Sequence, residues 1–153
     1  MTHLVEGDIA PDFKSLNQDS KIISLNDFEG KKIILFFYPK DNTPGCTTEA
    51  CNLNDNYLDF KNKGYEIVGV SPDNEQSHIK FINKYGLSFN LISDMDKELC
   101  IRYGVWGKKK FMGKEYEGVH RTTFIINESK VIEKIFTKVN TKNHSQQIIE
   151  SFK

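Results

Sequence analysis

The chain has little of several things, and each shortage narrows its class. Three cysteines in 153 residues are too few for a disulfide framework, and an odd number fits thiols kept reduced at rest. There is no excess charge of either sign: Lys plus Arg and Asp plus Glu number 21 each, which gives no electrostatic case for nucleic acid or a membrane surface. No stretch approaches the ~20 apolar residues of a membrane span. Met1 to Ala10 carries Glu6 and Asp8 and has no apolar centre, so it is expected to be neither signal nor transit peptide, and a cytoplasmic location is expected. No repeat or low-complexity segment divides the sequence, and 38% hydrophobic with 27% charged residues is ordinary for a globular protein. One domain over residues 1–153, acting on a small substrate, is the expectation.

What is present centres on Pro39 to Cys51. The run before it, Ile33 to Tyr38, is continuously apolar, as a strand covered on both faces should be. After it, Ala50, Leu53, Tyr57 and Phe60 recur at helical spacing, which predicts a helix from about Cys46 to Lys63 that Gly64 can end. Thr43 fits as N-cap, its hydroxyl accepting an orphan amide, and Pro44 fits as first helical residue. Cys46 then falls in the first turn, where free amides and the helix dipole favour a thiolate. Cys51 offers a second sulfur to take up what forms on the first.

In chain order, Lys14 to Leu16 and Ile22 to Leu25 read as a small N-terminal hairpin. Tyr65 to Val70 reads as a strand, and Ser71-Pro72-Asp73 opens a helix whose apolar side is Ile79, Phe81, Ile82 and Tyr85 and whose stop is Gly86. Phe89 to Ile92 is a strand candidate, and Asp94 to Asp96 caps a short helix with Leu99, Cys100 and Tyr103. Trp106 to Gly118 is expected to be an irregular surface loop. His120 to Ile126 and Val131 to Phe136 read as a hairpin around Asn127 to Lys130, and Asn143 to Phe152 as a terminal helix. This order implies an α/β fold with a central mixed sheet flanked by helices.

Four residues separate Cys46 from Cys51, against two in a thioredoxin-type site. A structural zinc lacks a second cysteine pair, and His3, His78, His120 and His144 are dispersed. A non-catalytic copper-binding or redox-sensing protein is the alternative from another class; copper could use two sulfurs and one histidine such as His120, without a specific spacing behind it. Cys100, between Leu99 and Ile101, reads as core. Lys108 to Lys110 reads as a solvated basic triplet. Arg121, at the start of an apolar strand, is locally read as a surface ion pair, with a guanidinium reaching thiolate and substrate oxygens as the functional alternative.

Taken together, Gly-Asp-Ile-Ala-Pro-Asp-Phe at residues 7–13, Phe-Phe-Tyr-Pro-Lys-Asp-Asn-Thr-Pro-Gly-Cys-Thr at 36–47 and Gly-Val-His-Arg-Thr-Thr-Phe-Ile-Ile at 118–126 resemble the peroxiredoxins, specifically the bacterioferritin comigratory protein or peroxiredoxin Q branch. The resemblance implies a thioredoxin-like fold. It maps the family's peroxide site onto Pro39, Thr43, Cys46 and Arg121, which reverses the local reading of Arg121. Many relatives have proline after the reactive cysteine; Thr47 stands here, as in the named branch. Cys51 matches the resolving cysteine found in part of that branch. The implied chemistry is hydroperoxide reduction through a Cys46 sulfenic acid, a disulfide with Cys51, and re-reduction by thioredoxin or a similar dithiol. No metal, flavin or haem is implied, and a monomer is expected.

If Cys46 and Cys51 pair, helix geometry predicts unwinding. Five residues along an ideal helix put their Cα atoms roughly 8.7 Å apart and their side chains roughly 140° apart around the axis. A disulfide needs less than about 7 Å. Amide exchange over Thr43 to Leu53 should therefore rise on oxidation while Ile33 to Phe37 stays protected; equal protection in both redox states would show closure without unwinding.

Overall fold

The computed structural model describes residues 2–153. Its centre is β3 (Lys32–Phe37), the apolar run before the cysteine segment. Ile33, Leu35 and Phe37 enter one core layer and Ile34, Phe36 and Tyr38 the other, which is why both faces of the strand read as apolar. On one side β3 pairs in parallel with β4 (Tyr65–Ser71), which pairs in parallel with β5 (Asn90–Ser93). On the other it runs antiparallel to β8 (Thr122–Ile126), which pairs with β9 (Ile132–Phe136). The expected mixed sheet thus has the order β5-β4-β3-β8-β9. β1 (Lys14–Leu16) and β2 (Ile22–Ser24) form the expected hairpin.

The first helix differs from its sequence reading. It divides into α1 (Pro44–Asp55) and α2 (Tyr57–Asn62) at Asn56. Asn56 Nδ2 donates to Asn52 O at 3.0 Å, taking the carbonyl its own backbone amide would use, and that amide turns to Leu53 O instead. A stretch periodic in apolar residues is therefore broken by a polar side chain that competes with the backbone. α3 (Glu75–Tyr85) starts on Asn74, whose side chain accepts from Ser77 N, and stops at Gly86 in the left-handed conformation at φ 63°. α4 (Glu98–Arg102) is capped as expected: Asp94 accepts from Leu99 N and Cys100 N, and Asp96 from Glu98 N. α5 (His144–Ser151) closes the chain.

The segment from Trp106 is not an irregular loop. It is a second hairpin, β6 (Trp106–Phe111) and β7 (Lys114–Val119), turned by Met112 and Gly113 at φ 51° and 82°. Its register places Lys108 opposite Glu117 and Lys110 opposite Glu115, so the charges that suggested a loop face one another across the strands.

At Gly69, between Phe36 and Leu91 in the sheet, an added Cβ would sit 2.7 Å from Leu91 Cδ2 and 2.9 Å from Phe36 Cζ. Gly69→Ala is expected to lower unfolding free energy by about 1–3 kcal/mol through overpacking, read from the midpoint of urea unfolding; an unchanged midpoint would show that the two side chains yield freely.

Candidate active site

The end of β3 and the start of α1 are joined by a loop that its own side chains hold. Asp41 is buried and accepts at one oxygen from Tyr38 OH at 2.6 Å, while the other faces Ser77 Oγ at 2.8 Å and His78 Nδ1 at 2.7 Å. Its backbone amide donates to Asp73, which also accepts from Ser71 Oγ. Burial and the neighbouring Asp41 push the Tyr38 hydroxyl well above its usual pKa. Among the described residues, Asp41, Asp73 and His78 are a grouping of metal-ligand type. Their atoms are already committed to these hydrogen bonds and to Ile92 O, which accounts for the cluster as a loop anchor.

Pro39 and Thr43 lie half-buried in this loop. Thr43 is the N-cap residue, but its hydroxyl does not accept an orphan amide as expected. It donates to Lys40 O at 2.8 Å, so the first turn has no side-chain cap. Cys46 sits in that uncapped turn, 2% exposed.

Arg121, just before β8, brings its Nη2 to 3.3 Å from Cys46 Sγ and its Nη1 to 2.7 Å from Glu49 Oε1. The surface reading of Arg121 is thereby replaced: its carboxylate partner is fully buried. An added Cβ at Gly45 would stand 3.3 Å from Arg121 Nη2, so glycine in this turn leaves room for the guanidinium. Burial opposes the guanidinium's charge, but Glu49 and Cys46 outweigh it and raise the Arg121 pKa. The structure thus brings Cys46, Arg121 and the loop of Pro39 and Thr43 together at one end of the sheet.

Cys51 is half-buried on the same helix, and none of the three cysteines is bonded to another. Burial, then the nearby Asp55, raises its thiol pKa. Cys100 is fully buried, and burial followed by Asp94 pushes its thiol far up, as suits a core residue. The donor set of the copper reading, two sulfurs and His120, is not gathered within common reach among the described residues.

Three participants were not found from sequence. Glu49 stands three residues after Cys46, on the same side of α1, and that spacing was the available signal. Lys109 belongs to the basic triplet whose sequence implies a solvated surface. It is half-buried, donates to Val119 O at 3.0 Å, and its pKa is lowered by burial and then by Arg121, while Cys46 acts to raise it. His144, fully buried at the start of α5, lies 3.7 Å from Glu49 Oε2, a proximity no local pattern could reveal.

Against this geometry, the comparisons with known proteins are decisive. Residues 6–135 match the AhpC/TSA family model. The peroxiredoxin Bcp of Escherichia coli K12 is 42% identical over 153 residues, covering 100% of this chain and 98% of that protein. The chain belongs to the AhpC/TSA family, in its Bcp peroxiredoxin branch. A putative peroxiredoxin bcp of Haemophilus influenzae is 47% identical over 150 residues, 98% of this chain and 97% of that one. Among solved structures, a cysteine-to-serine variant of PrxQ from Xylella fastidiosa superposes with a TM-score of 0.92 at 29% identity, over 99% of this chain and 97% of that chain. This peroxiredoxin therefore has the thioredoxin-like fold of its relatives, and it is an enzyme, a thiol peroxidase. No helix among the described residues is long and apolar enough to cross a membrane.

The buried histidine gives a stability signature. Burial pushes His144 from 6.5 down to about 4, with Arg121 adding to the shift against a hydrogen bond to Gln147. Its folded form binds protons less readily than the unfolded chain, so the stability it contributes is full above about pH 6.5 and is lost as pH falls to about 4. That amounts to something on the order of 3 kcal/mol. His144→Gln should flatten the fall of unfolding free energy across that window; the same slope in both proteins would mean that His144 is not held neutral.

Proposed function

We propose that the chain reduces hydrogen peroxide and organic hydroperoxides through Cys46, with Cys51 as the resolving thiol and thioredoxin or a similar dithiol as reductant. The observation that carries this reading is the single guanidinium 3.3 Å from a buried sulfur in an uncapped first helical turn. The thiolate is the nucleophilic form of a cysteine, and the guanidinium stands where its charge would form. Its attack on one peroxide oxygen leaves charge on the other, and Arg121 with the helix-terminal amides meets that charge as it develops. Pro39 and Thr43 shape the loop around the attacking atom. Cys51 then condenses with the sulfenic acid, water leaves, and a dithiol reduces the resulting disulfide. The Xanthomonas campestris bacterioferritin comigratory protein, 30% identical with a TM-score of 0.87 over 99% of this chain, has alkyl peroxide reduction activity, which supports including organic substrates here.

The direct test is peroxide consumption by the reduced protein with thioredoxin and its reductase. Cys46→Ser is expected to abolish the reaction. Cys51→Ser should still react once and accumulate sulfenic acid on Cys46, detected as a dimedone adduct by peptide mapping, and Cys100→Ser should lose little activity. A Cys46 to Cys100 bridge in oxidised wild type would remove Cys51 from the scheme. Stoichiometric copper uptake without turnover, in protein with free thiols, would replace the enzymatic reading.

A further inference from the structure

The hydrogen bonds behind Arg121 define where one proton sits. Gln147 Oε1 accepts from Asn140 N at 3.0 Å and its Nε2 donates to Lys138 O at 2.8 Å, so two backbone groups fix the orientation of its amide. That same Oε1 faces His144 Nδ1 at 2.9 Å, which must then carry the ring hydrogen. With the ring held neutral by burial, Nε2 presents a lone pair and accepts from Thr123 Oγ1 at 2.8 Å.

Glu49 Oε2 lies 3.7 Å from that lone pair. The atom is buried, and among the described residues it has no hydrogen-bond partner. An ionised oxygen here would be a buried charge with no donor to meet it, facing a lone pair that the Thr123 hydroxyl already takes, whereas the neutral acid strands no charge. The carboxyl's pKa agrees: burial lifts it to about 7 even though Arg121 pulls it down. The charged and titratable groups that face it are Arg121, through Arg121 Cys46 on α1 and Lys109 on β6, and His144 on α5.

We propose that Glu49 is a carboxylic acid while Cys46 is a thiolate, and that it ionises when Cys46 becomes a neutral sulfenic acid, so that its proton balances the one the peroxide reaction consumes. This deepens the peroxidase reading and rests on it. Thiolate, carboxylic acid and hydroperoxide give sulfenic acid, carboxylate and alcohol or water: the S–O bond forms as the O–O bond breaks, sulfur is oxidised, and peroxide is reduced. The oxygen products gain one proton and Glu49 gives up one, so the site's net charge does not change. The coupling runs through Arg121, which has two anionic partners in reach. While the thiolate holds the guanidinium's charge, Glu49 can stay neutral; once that charge has gone, Glu49 becomes the counter-ion. Glu49 does not touch peroxide, so it acts as a positioning and proton-storing residue.

The test compares Cys51→Ser protein with and without Glu49→Gln, which reproduces the shape and hydrogen bonds of the protonated acid but has no proton to release. In single turnover at about pH 6, with thiolate absorbance confirming the state of Cys46, the parent should take up less than about half a proton from solvent per sulfenic acid formed. The Gln variant should take up about one. The infrared carboxylic-acid band of the parent should disappear on oxidation and be absent from the variant. Equal proton uptake in both, or no such band in the reduced parent, overturns the proposal. The reduced-state band needs no turnover, so its presence without any sulfenic acid on Cys46 would sustain the protonated Glu49 and overturn the peroxidase reading instead. Should the variant not fold, the carbon-13 shift of the Glu49 carboxyl, followed with pH in reduced and oxidised parent, decides the same point.

Discussion

A half-buried guanidinium between a buried carboxyl group and a buried sulfur is the constraint around which the molecule is arranged. Removing one member of such a pair leaves a charge stranded away from water, at a cost of about 3–5 kcal/mol, so the elements that carry the members are locked together. Arg121 comes from the strand beside β3, while Cys46 and Glu49 come from the helix that follows β3. Their meeting therefore depends on the register of β3 against β8. Gly45 contributes by lacking a side chain where the guanidinium approaches.

The loop feeding α1 needs separate restraint, because no sheet hydrogen bonds hold it. Asp41 provides that restraint by gathering Tyr38, Ser77 and His78 inside the protein, and Asn42 adds a surface tie by accepting from Tyr85 OH. Loop and first turn are thus anchored to α3, an element that takes no part in the proposed chemistry. A rigid approach to Cys46 follows from polar groups that would be costly to leave unpaired.

Order at this helix start conflicts with the proposed disulfide, and the structure divides α1 accordingly. Beyond Cys51, Asn52 accepts from Ser145 N and donates to Lys142 O, and Asn54 donates to Gly86 O and accepts from Ser88 N, so this half is clamped. Before Cys51, the first turns contain Gly45, Thr47 and Thr48, all poor helix formers, and Thr48 turns its hydroxyl back on Pro44 O. The half that must open to close the disulfide is the half with weaker local support. Glu49 lies within it, so opening would also release the carboxylate from its burial.

Much of this protein was legible in its sequence. The double-faced apolar pattern of β3, the glycine stops and the placement of Cys46 in a first helical turn are local consequences of side-chain periodicity and backbone preference, and they needed no partners to be read. Several local readings failed for equally physical reasons: the Thr43 hydroxyl donates to Lys40 O instead of accepting an amide, and Arg121 faces a buried carboxyl group rather than solvent. Asn56 broke a helix by taking a carbonyl, and the charged residues of β6 and β7 became strands by pairing with each other across a tight turn. What only the tertiary structure decided is which charges share a space without water. Glu49, Arg121, Lys109 and His144 come from four separate segments, and each is an ordinary polar residue until the fold buries it beside the others. Sequence sets the reactive sulfur because helix position is local; its electrostatic environment is set by the tertiary fold, because desolvation depends on everything that surrounds a group.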